Sequence, residues 1–190
     1  MQQYYQHFSE IDNVYWTNYF LNEFIPKYKF YEYTSDKTSA HIEWHRKDFI
    51  QEKEILKLGA ELTTKLKFPP IDYFFLIRHN DIDQSIHADG LKVVRNASFN
   101  LPLTGYAGTK LCFYKPKTED VEPTITNANH YNKEDMTVID SFEGDNRWVL
   151  VNTSIPHNAV DINPDNPRIV LCVRFVGNPT FDQLINNAKS

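Results

Sequence analysis

The rhythm of apolar positions along the chain changes once, near Pro70. Before it, residues 8–25 carry Phe8, Ile11, Tyr15, Phe20 and Phe24 among polar residues at roughly helical spacing. Asp12 or Ser9 is placed to cap that helix and Pro26 to end it. A clearer helix is expected over 46–67, where Phe49, Ile50, Ile55, Leu58, Leu62 and Leu66 form a stripe and Phe68-Pro69-Pro70 stops it. Beyond Pro70, short runs rich in Val, Ile, Phe and Tyr recur between Asn, Asp, Gly and Pro, at 71–78, 84–88, 92–102, 108–114, 136–142, 147–152, 158–162 and 168–176. Eight such runs in roughly a hundred residues predict a sandwich or barrel of antiparallel strands. The expected fold class is mainly β with flanking helices: a jelly roll preceded by two N-terminal helices and closed by a short helix from Thr180 to Ala188. One domain is expected over 1–190, with helical support in 1–70, the jelly-roll core in 71–176 and the last helix in 177–190.

Composition narrows the function classes. A hydrophobic content of 41% with 14% aromatics supplies a real core. The net charge of -5 offers no polycationic face for phosphate backbones, so nucleic acid is disfavoured as a partner. No apolar run approaches a bilayer's thickness, and the Met-Gln-Gln-Tyr start lacks the charged and apolar regions of an export signal. The expected compartment is the cytoplasm, with no membrane partner. Cys112 and Cys172 lie inside apolar runs and are expected reduced rather than bridged, and the Asn96-Ala-Ser98 and Asn152-Thr-Ser154 sequons carry no weight without export.

The candidate chemistry is metal ligation. A His-x-Asp/Glu pair on a strand places two ligands on one face, because side chains alternate with period two. Seven histidines and 25 acids in 190 residues predict about one such pair by chance, and the chain has three, so context must decide. His79-Asn-Asp81 opens a wholly polar stretch and reads as a surface turn. His41-Ile-Glu43-Trp-His45 has no partner ligand at a recognisable distance and reads as an exposed edge strand or loop. His87-Ala-Asp89 follows Ile86, precedes Gly90 and opens a long apolar strand, which suits inward-facing ligands. His157, between two expected strands, is the candidate third ligand, whereas His7 and His130 lie in no comparable frame. Two histidines and one carboxylate make the facial triad of non-haem iron oxygenases, and zinc takes the same donors.

These residues resemble the 2-oxoglutarate/Fe(II)-dependent dioxygenase superfamily. The likeness runs from His87-x-Asp89 to His157 seventy residues on, and to Arg168 eleven residues further at the head of a strand. It covers about residues 71–176 and is most similar to the aspartyl/asparaginyl β-hydroxylase-like branch and to small bacteriophage-borne members. It implies a double-stranded β-helix in which His87, Asp89 and His157 bind Fe(II), while Arg168 pairs with the distal carboxylate of 2-oxoglutarate through its planar fork. Arg95 falls where the β-hydroxylase branch places a second arginine for the cosubstrate. A phage origin would put the protein in a host's cytoplasm. One departure matters: the β-hydroxylase branch proper tends to lack the acidic ligand that Asp89 supplies here. The same carboxylate argues against halogenation, which needs that position free for halide.

The implied activity is hydroxylation of a C–H bond with Fe(II), 2-oxoglutarate and O2, releasing succinate and CO2. The expected substrate is an Asn, Asp or Pro side chain in a protein, then a small metabolite, then a nucleobase. Ser98 and Asn100 on the neighbouring strand either hydrogen-bond the cosubstrate or pair with backbone. Arg174, on the same strand face as Arg168, is expected at the rim or in a structural ion pair. Tyr4, Tyr5, Tyr15, Trp16, Tyr19, Phe30, Tyr31 and Tyr33 are expected to pack helices onto the sheet, with a substrate surface as the alternative. Residues 115–135 read as a long loop of the kind that forms lids. The rival readings are a non-catalytic metal-binding or structural β-sandwich, and a zinc or manganese enzyme of cupin type without cosubstrate.

Overall fold

A computed structural model describes residues 3–27, 52–78, 86–89, 96–125 and 128–189, and the backbone of 40–45. The chain is mainly β. Its strands form two antiparallel six-stranded sheets, and helices pack against one of them.

In chain order the elements are β1 (Tyr5–Phe8), α1 (Asn13–Tyr19), a π-helical turn (Phe20–Phe24), α2 (Ile25–Lys27), β2 (Ala40–His45), α3 (Lys53–Leu66), β3 (Pro70–Arg78), β4 (Ile86–Ala88), β5 (Ser98–Thr104) and β6 (Lys110–Pro116). There follow β7 (Thr124–Ile125), β8 (Asn129–Tyr131), β9 (Met136–Glu143), β10 (Trp148–Val151), β11 (His157–Val160), β12 (Arg168–Phe175) and α4 (Phe181–Ala188). The first sheet runs β1-β10-β5-β12-β3-β2 and the second β7-β8-β4-β11-β6-β9. From β3 to β6, and again from β9 to β12, consecutive strands alternate between the two sheets.

The helices form for local reasons. Asp12 caps α1 by accepting from the Tyr15 N–H at 2.9 Å, as its position suggested. The helix begins at Asn13 rather than at residue 8, because Phe8 belongs to a strand and pairs with Trp148. Ile55, Leu58, Leu62 and Leu66 are the buried stripe of α3, which ends where Lys67 turns left-handed and donates to Thr63 O at 2.8 Å. Its predicted start at 46 lies outside the described residues. Thr180 and Gln183 form a reciprocal capping box at the head of α4.

Strand alternation gives the first sheet two different faces. Tyr73, Phe75, Phe99, Leu101, Trp148, Leu150, Leu171 and Val173 meet Trp16, Phe20, Phe24, Leu58, Leu62 and Leu184 in the large helix-side core. The opposite face carries Val149, Val151, Asn100, Pro102, Val170, Cys172, Phe74 and Leu76 toward the second sheet. Leu111, Phe113 and Ala159 answer from the second sheet in a smaller core with Val149 and Val151. Pro102 sits in the interior strand β5, where it brings no N–H, and the β12–β5 register shifts between Ile169 and Val170 beside it.

Two expectations change. The first seventy residues are not helical support alone, since β1 and β2 form both edges of the first sheet. The segment 115–135 holds β7 and β8, and its Val121 and Tyr131 pack against Ile86, Cys112, Tyr114 and Met136. That cluster is the outward face of the second sheet, and Val121 and Tyr131 of the segment cover apolar side chains there. As expected, Cys112 and Cys172 are both buried and unbridged, Cys112 on the outward face of the second sheet and Cys172 on the inward face of the first.

Phe99 is fully buried, stacked on Trp148 with ring centres 5.0 Å apart and edge-on to Phe8 at 5.1 Å. Phe99→Ala is expected to lower the unfolding free energy by about 3–5 kcal/mol in urea titrations. Val138→Ala, at a position 52% exposed, should change it by less than about 0.5 kcal/mol.

Candidate metal centre

His87 projects inward because its neighbours do not. Ile86 and Ala88 bury their side chains on the outward face, and a three-residue strand leaves His87 the other side. Beta strand 11 pairs with β4 at one position, His157 opposite His87, and with β6 at four, beginning His157 opposite Phe113. Directly paired residues share a face, so both imidazoles stand on the inter-sheet side, their ring centres 4.7 Å apart. Outside the sheet, the Tyr114 hydroxyl donates to Asn158 Oδ1 at 2.8 Å and holds β11 in this register.

Asp89 follows at the end of β4, its N–H bonded to Thr153 O at 2.9 Å. One carboxylate oxygen lies 3.9 Å from His87 Nε2. His157 is 8% exposed, and its Nδ1 is 2.8 Å from the Ile155 carbonyl oxygen. A carbonyl only accepts, so Nδ1 carries the proton and Nε2 keeps its lone pair, the arrangement that orients a ligating histidine.

Two tests of fit follow from ligand geometry. Metal–nitrogen bonds near 2.1 Å put each imidazole centre about 3.2 Å from an ion, so two at right angles stand about 4.5 Å apart. The 4.7 Å between His87 and His157 agrees with that spacing. Two donor atoms on one ion lie at most about 4.2 Å apart, which the His87–Asp89 separation of 3.9 Å satisfies. Among the described residues, however, no group of three or more His, Cys, Asp or Glu is already gathered at metal-holding distances. His87–His157 and His87–Asp89 each meet the spacing as pairs, and the three residues together do not.

Arg168 and Asn100 line a common small cleft between the sheets, of about 20 Å³ and partly open to solvent, with Pro102, Leu111, Phe142 and Val149. Leu111 stands two residues from Phe113, the partner of His157, so the cleft begins about 7 Å along the sheet from that histidine. The backbone before Arg168 is fixed tightly. Thr104 Oγ1 donates to Pro167 O at 2.9 Å, and a Cβ on Gly105, whose φ is 61°, would lie within 2.6 Å of Arg168 N. Burial brings the Arg168 guanidinium down to about 10, helped by repulsion from Arg78, its β3 partner, and opposed by Cys172. Among the described residues no hydrogen bond or ion pair reaches that guanidinium.

Cys172 connects the two halves. Burial pushes its thiol up to about 12; Arg168 and Arg78 draw it back, and Asp89 raises it further. The Asp89 carboxylate and the arginine pair therefore act on one point of the inter-sheet face. Asn100 is cross-strand partner to Cys172, and its Oδ1 accepts from Ser98 Oγ at 2.6 Å. Ser98 is thus engaged by Asn100 and by the Cys172 thiol, and Asn100 lines the cleft. Arg174 is in a structural ion pair, 3.2 Å from Asp72, and lies over the Phe74 ring at 4.9 Å.

Some expected residues stand elsewhere. Arg95, His79, Asp81, Phe30, Tyr31 and Tyr33 lie outside the described residues. The segment His41-Ile-Glu43-Trp-His45 forms β2, an edge strand paired with β3. Trp16 and Tyr19 pack the helices, but Tyr4 and Tyr5 stack on Phe113 at 5.4 and 6.1 Å, beside His157. His130 was passed over in the sequence and pairs directly with His87. Its strand is three residues long and paired across some forty residues of chain, which leaves no local periodicity to read.

No family model matches the chain, and no curated protein does. Among solved structures, the X-ray structure of E. coli ycfD is similar at 12% identity with a TM-score of 0.45, over 78% of this chain and 36% of that one. The chain thus spans about a third of that structure's length. Among the described residues no helix is long and apolar enough to cross a membrane.

A half-buried cation with no anion beside it among the described residues is a cost to folding. Arg168→Met is expected to raise the unfolding free energy by about 1 kcal/mol in urea titrations without added ligand. A loss of that size instead would mean that the guanidinium makes compensating contacts in the folded protein.

Proposed function

We propose that the chain is an Fe(II)- and 2-oxoglutarate-dependent dioxygenase on a double-stranded β-helix, hydroxylating a C–H bond of a protein side chain or a small metabolite. One observation carries the reading: the His157–His87 pair and the guanidinium of Arg168, which has no counter-ion among the described residues, face the same space between the sheets. The alternation of strands between the sheets supports the fold assignment.

Each residue's task follows from its chemistry. His87, Asp89 and His157 would hold iron through two imidazole nitrogens and a carboxylate, leaving positions open for ligands. Iron, 2-oxoglutarate and O2 would together supply the oxidation, with succinate and CO2 released. Arg168 neutralises the far carboxylate of the cosubstrate, and its partly buried position makes that pairing stronger than in water. Asn100 offers its amide N–H groups to the same ligand. Leu111, Phe142, Val149 and Val151 exclude water from the cleft. The Ile155 carbonyl keeps His157 in its ligating tautomer.

A second reading has one observation in its favour. The open ligand set among the described residues suits a metal-binding β-sandwich without catalysis equally well. In that case metal binds and 2-oxoglutarate does not.

The test is anaerobic addition of Fe(II) and 2-oxoglutarate to metal-free protein, with visible absorption recorded for native, His157→Ala and Arg168→Ala protein. The expected result is a weak charge-transfer band, absent in His157→Ala and requiring at least about tenfold more 2-oxoglutarate in Arg168→Ala. No band with no iron retained contradicts the dioxygenase reading. Iron retained with no response to 2-oxoglutarate favours the sandwich.

A further inference from the structure

Arg168 has a second arginine beside it. The ladder between β12 and β3 sets Arg78 directly opposite Arg168, with Leu76 opposite Val170 and Phe74 opposite Cys172 in the same inward set. Directly opposite residues share a face and stand about 4.5–5.5 Å apart at their β-carbons, so the two side chains leave the sheet next to one another. Both are half-buried. Like charges directly opposite on neighbouring strands work against folding.

Their charged heads turn toward one place. Cys172 stands four residues along β12 from Arg168, about 13 Å by strand rise. Both arginines nevertheless draw its thiol down, so both side chains lean along the sheet toward it. Arg78 Nη1 donates to the Ile77 carbonyl at 3.4 Å, which draws that guanidinium back along β3 in the same direction. Asp89, beside His87, acts on the same thiol, and Asn100 stands opposite it on β5. The thiol is pushed up to about 12, chiefly by burial, so it stays neutral and adds no competing charge.

We propose that Arg78 and Arg168 form a paired-guanidinium site for the anionic end of one ligand, in which Arg78 sets selectivity for that charge. This rests on the reading of Arg168 as the residue that holds the far carboxylate of 2-oxoglutarate, and it adds a second donor there. A carboxylate has two oxygens with about four lone-pair sites, which lets it accept from two planar forks at once. An anion between the arginines turns their mutual repulsion into attraction to a shared partner. The ligand class is an acid whose far end carries a full negative charge. A ligand of the same length with an uncharged end leaves both cations unmatched.

Manganese(II)-loaded protein is titrated by calorimetry with 2-oxoglutarate and, in parallel, with 2-oxopentanoate, which has the same carbon chain and no far carboxylate. Native protein is compared with Arg78→Met, Arg78→Lys and Arg168→Met, and thermal unfolding without ligand checks that each variant folds. The expected result for Arg78→Met is an affinity loss of at least about tenfold for 2-oxoglutarate and of less than about twofold for 2-oxopentanoate, with Arg78→Lys in between. Arg78→Met that matches native protein on 2-oxoglutarate, while Arg168→Met loses affinity, would overturn the role of Arg78 and leave Arg168 standing. Equal losses for the two ligands would mean that Arg78 only supports the fold, and would overturn the inference as well. Native protein that binds neither ligand would overturn the cosubstrate reading and this inference together.

Discussion

The candidate site depends on one backbone pairing, His157 of β11 opposite His87 of β4. Side chains on a strand alternate, so a slip of one residue there would turn one imidazole to the outward face and dissolve the site. The pairing is a single position and does not hold itself. Its register is inherited from β6, which pairs β11 over four residues, and from the outward Tyr114–Asn158 hydrogen bond. Burial of Ile86 and Ala88 fixes the facing of β4 independently. The apolar outward face of the second sheet, covered by Val121 and Tyr131, therefore sets the polarity of its inward face.

Beta strand 12 has the complementary task. Its odd positions, from Ile169 to Phe175, feed the helix-side core, and its even positions carry Arg168, Val170, Cys172 and Arg174 inward. Two arginines on one inward face are treated differently. Arg174 is matched by Asp72 and lies over Phe74, whereas Arg168 is placed by Thr104 and Gly105 without a counter-ion among the described residues. Stability alone would favour the first arrangement. The second makes sense when an anionic ligand completes it.

Much of this could be read from residue order. The strands from Pro70 onward follow from period-two runs, and α3 and α4 from apolar stripes with recognisable stops and caps. His87, Asp89, His157, Arg168 and Asn100 were all singled out, and the fold sets His157 opposite His87, Asp89 beside His87, and Arg168 and Asn100 on one cleft. What escaped was non-local. Tyr5–Phe8 ends where the helical spacing begins, and only pairing with β10 makes it a strand. Beta strands 7 and 8 are two and three residues long, too short for any period, so His130 had no frame until β8 was laid beside β4. Tyr4 and Tyr5 sit among aromatics that pack helices, and their stacking on Phe113 follows from β1 joining the first sheet at its edge.

The central claim is that metal and cosubstrate meet between the sheets. A crystal structure of protein grown anaerobically with Mn(II) and 2-oxoglutarate tests it most directly, since anomalous scattering locates the ion. The account predicts manganese bonded to His87, Asp89 and His157, with a carboxylate of 2-oxoglutarate on Arg168. Manganese at another place, or density that leaves the Arg168 cleft to water while the ion sits elsewhere, would contradict it.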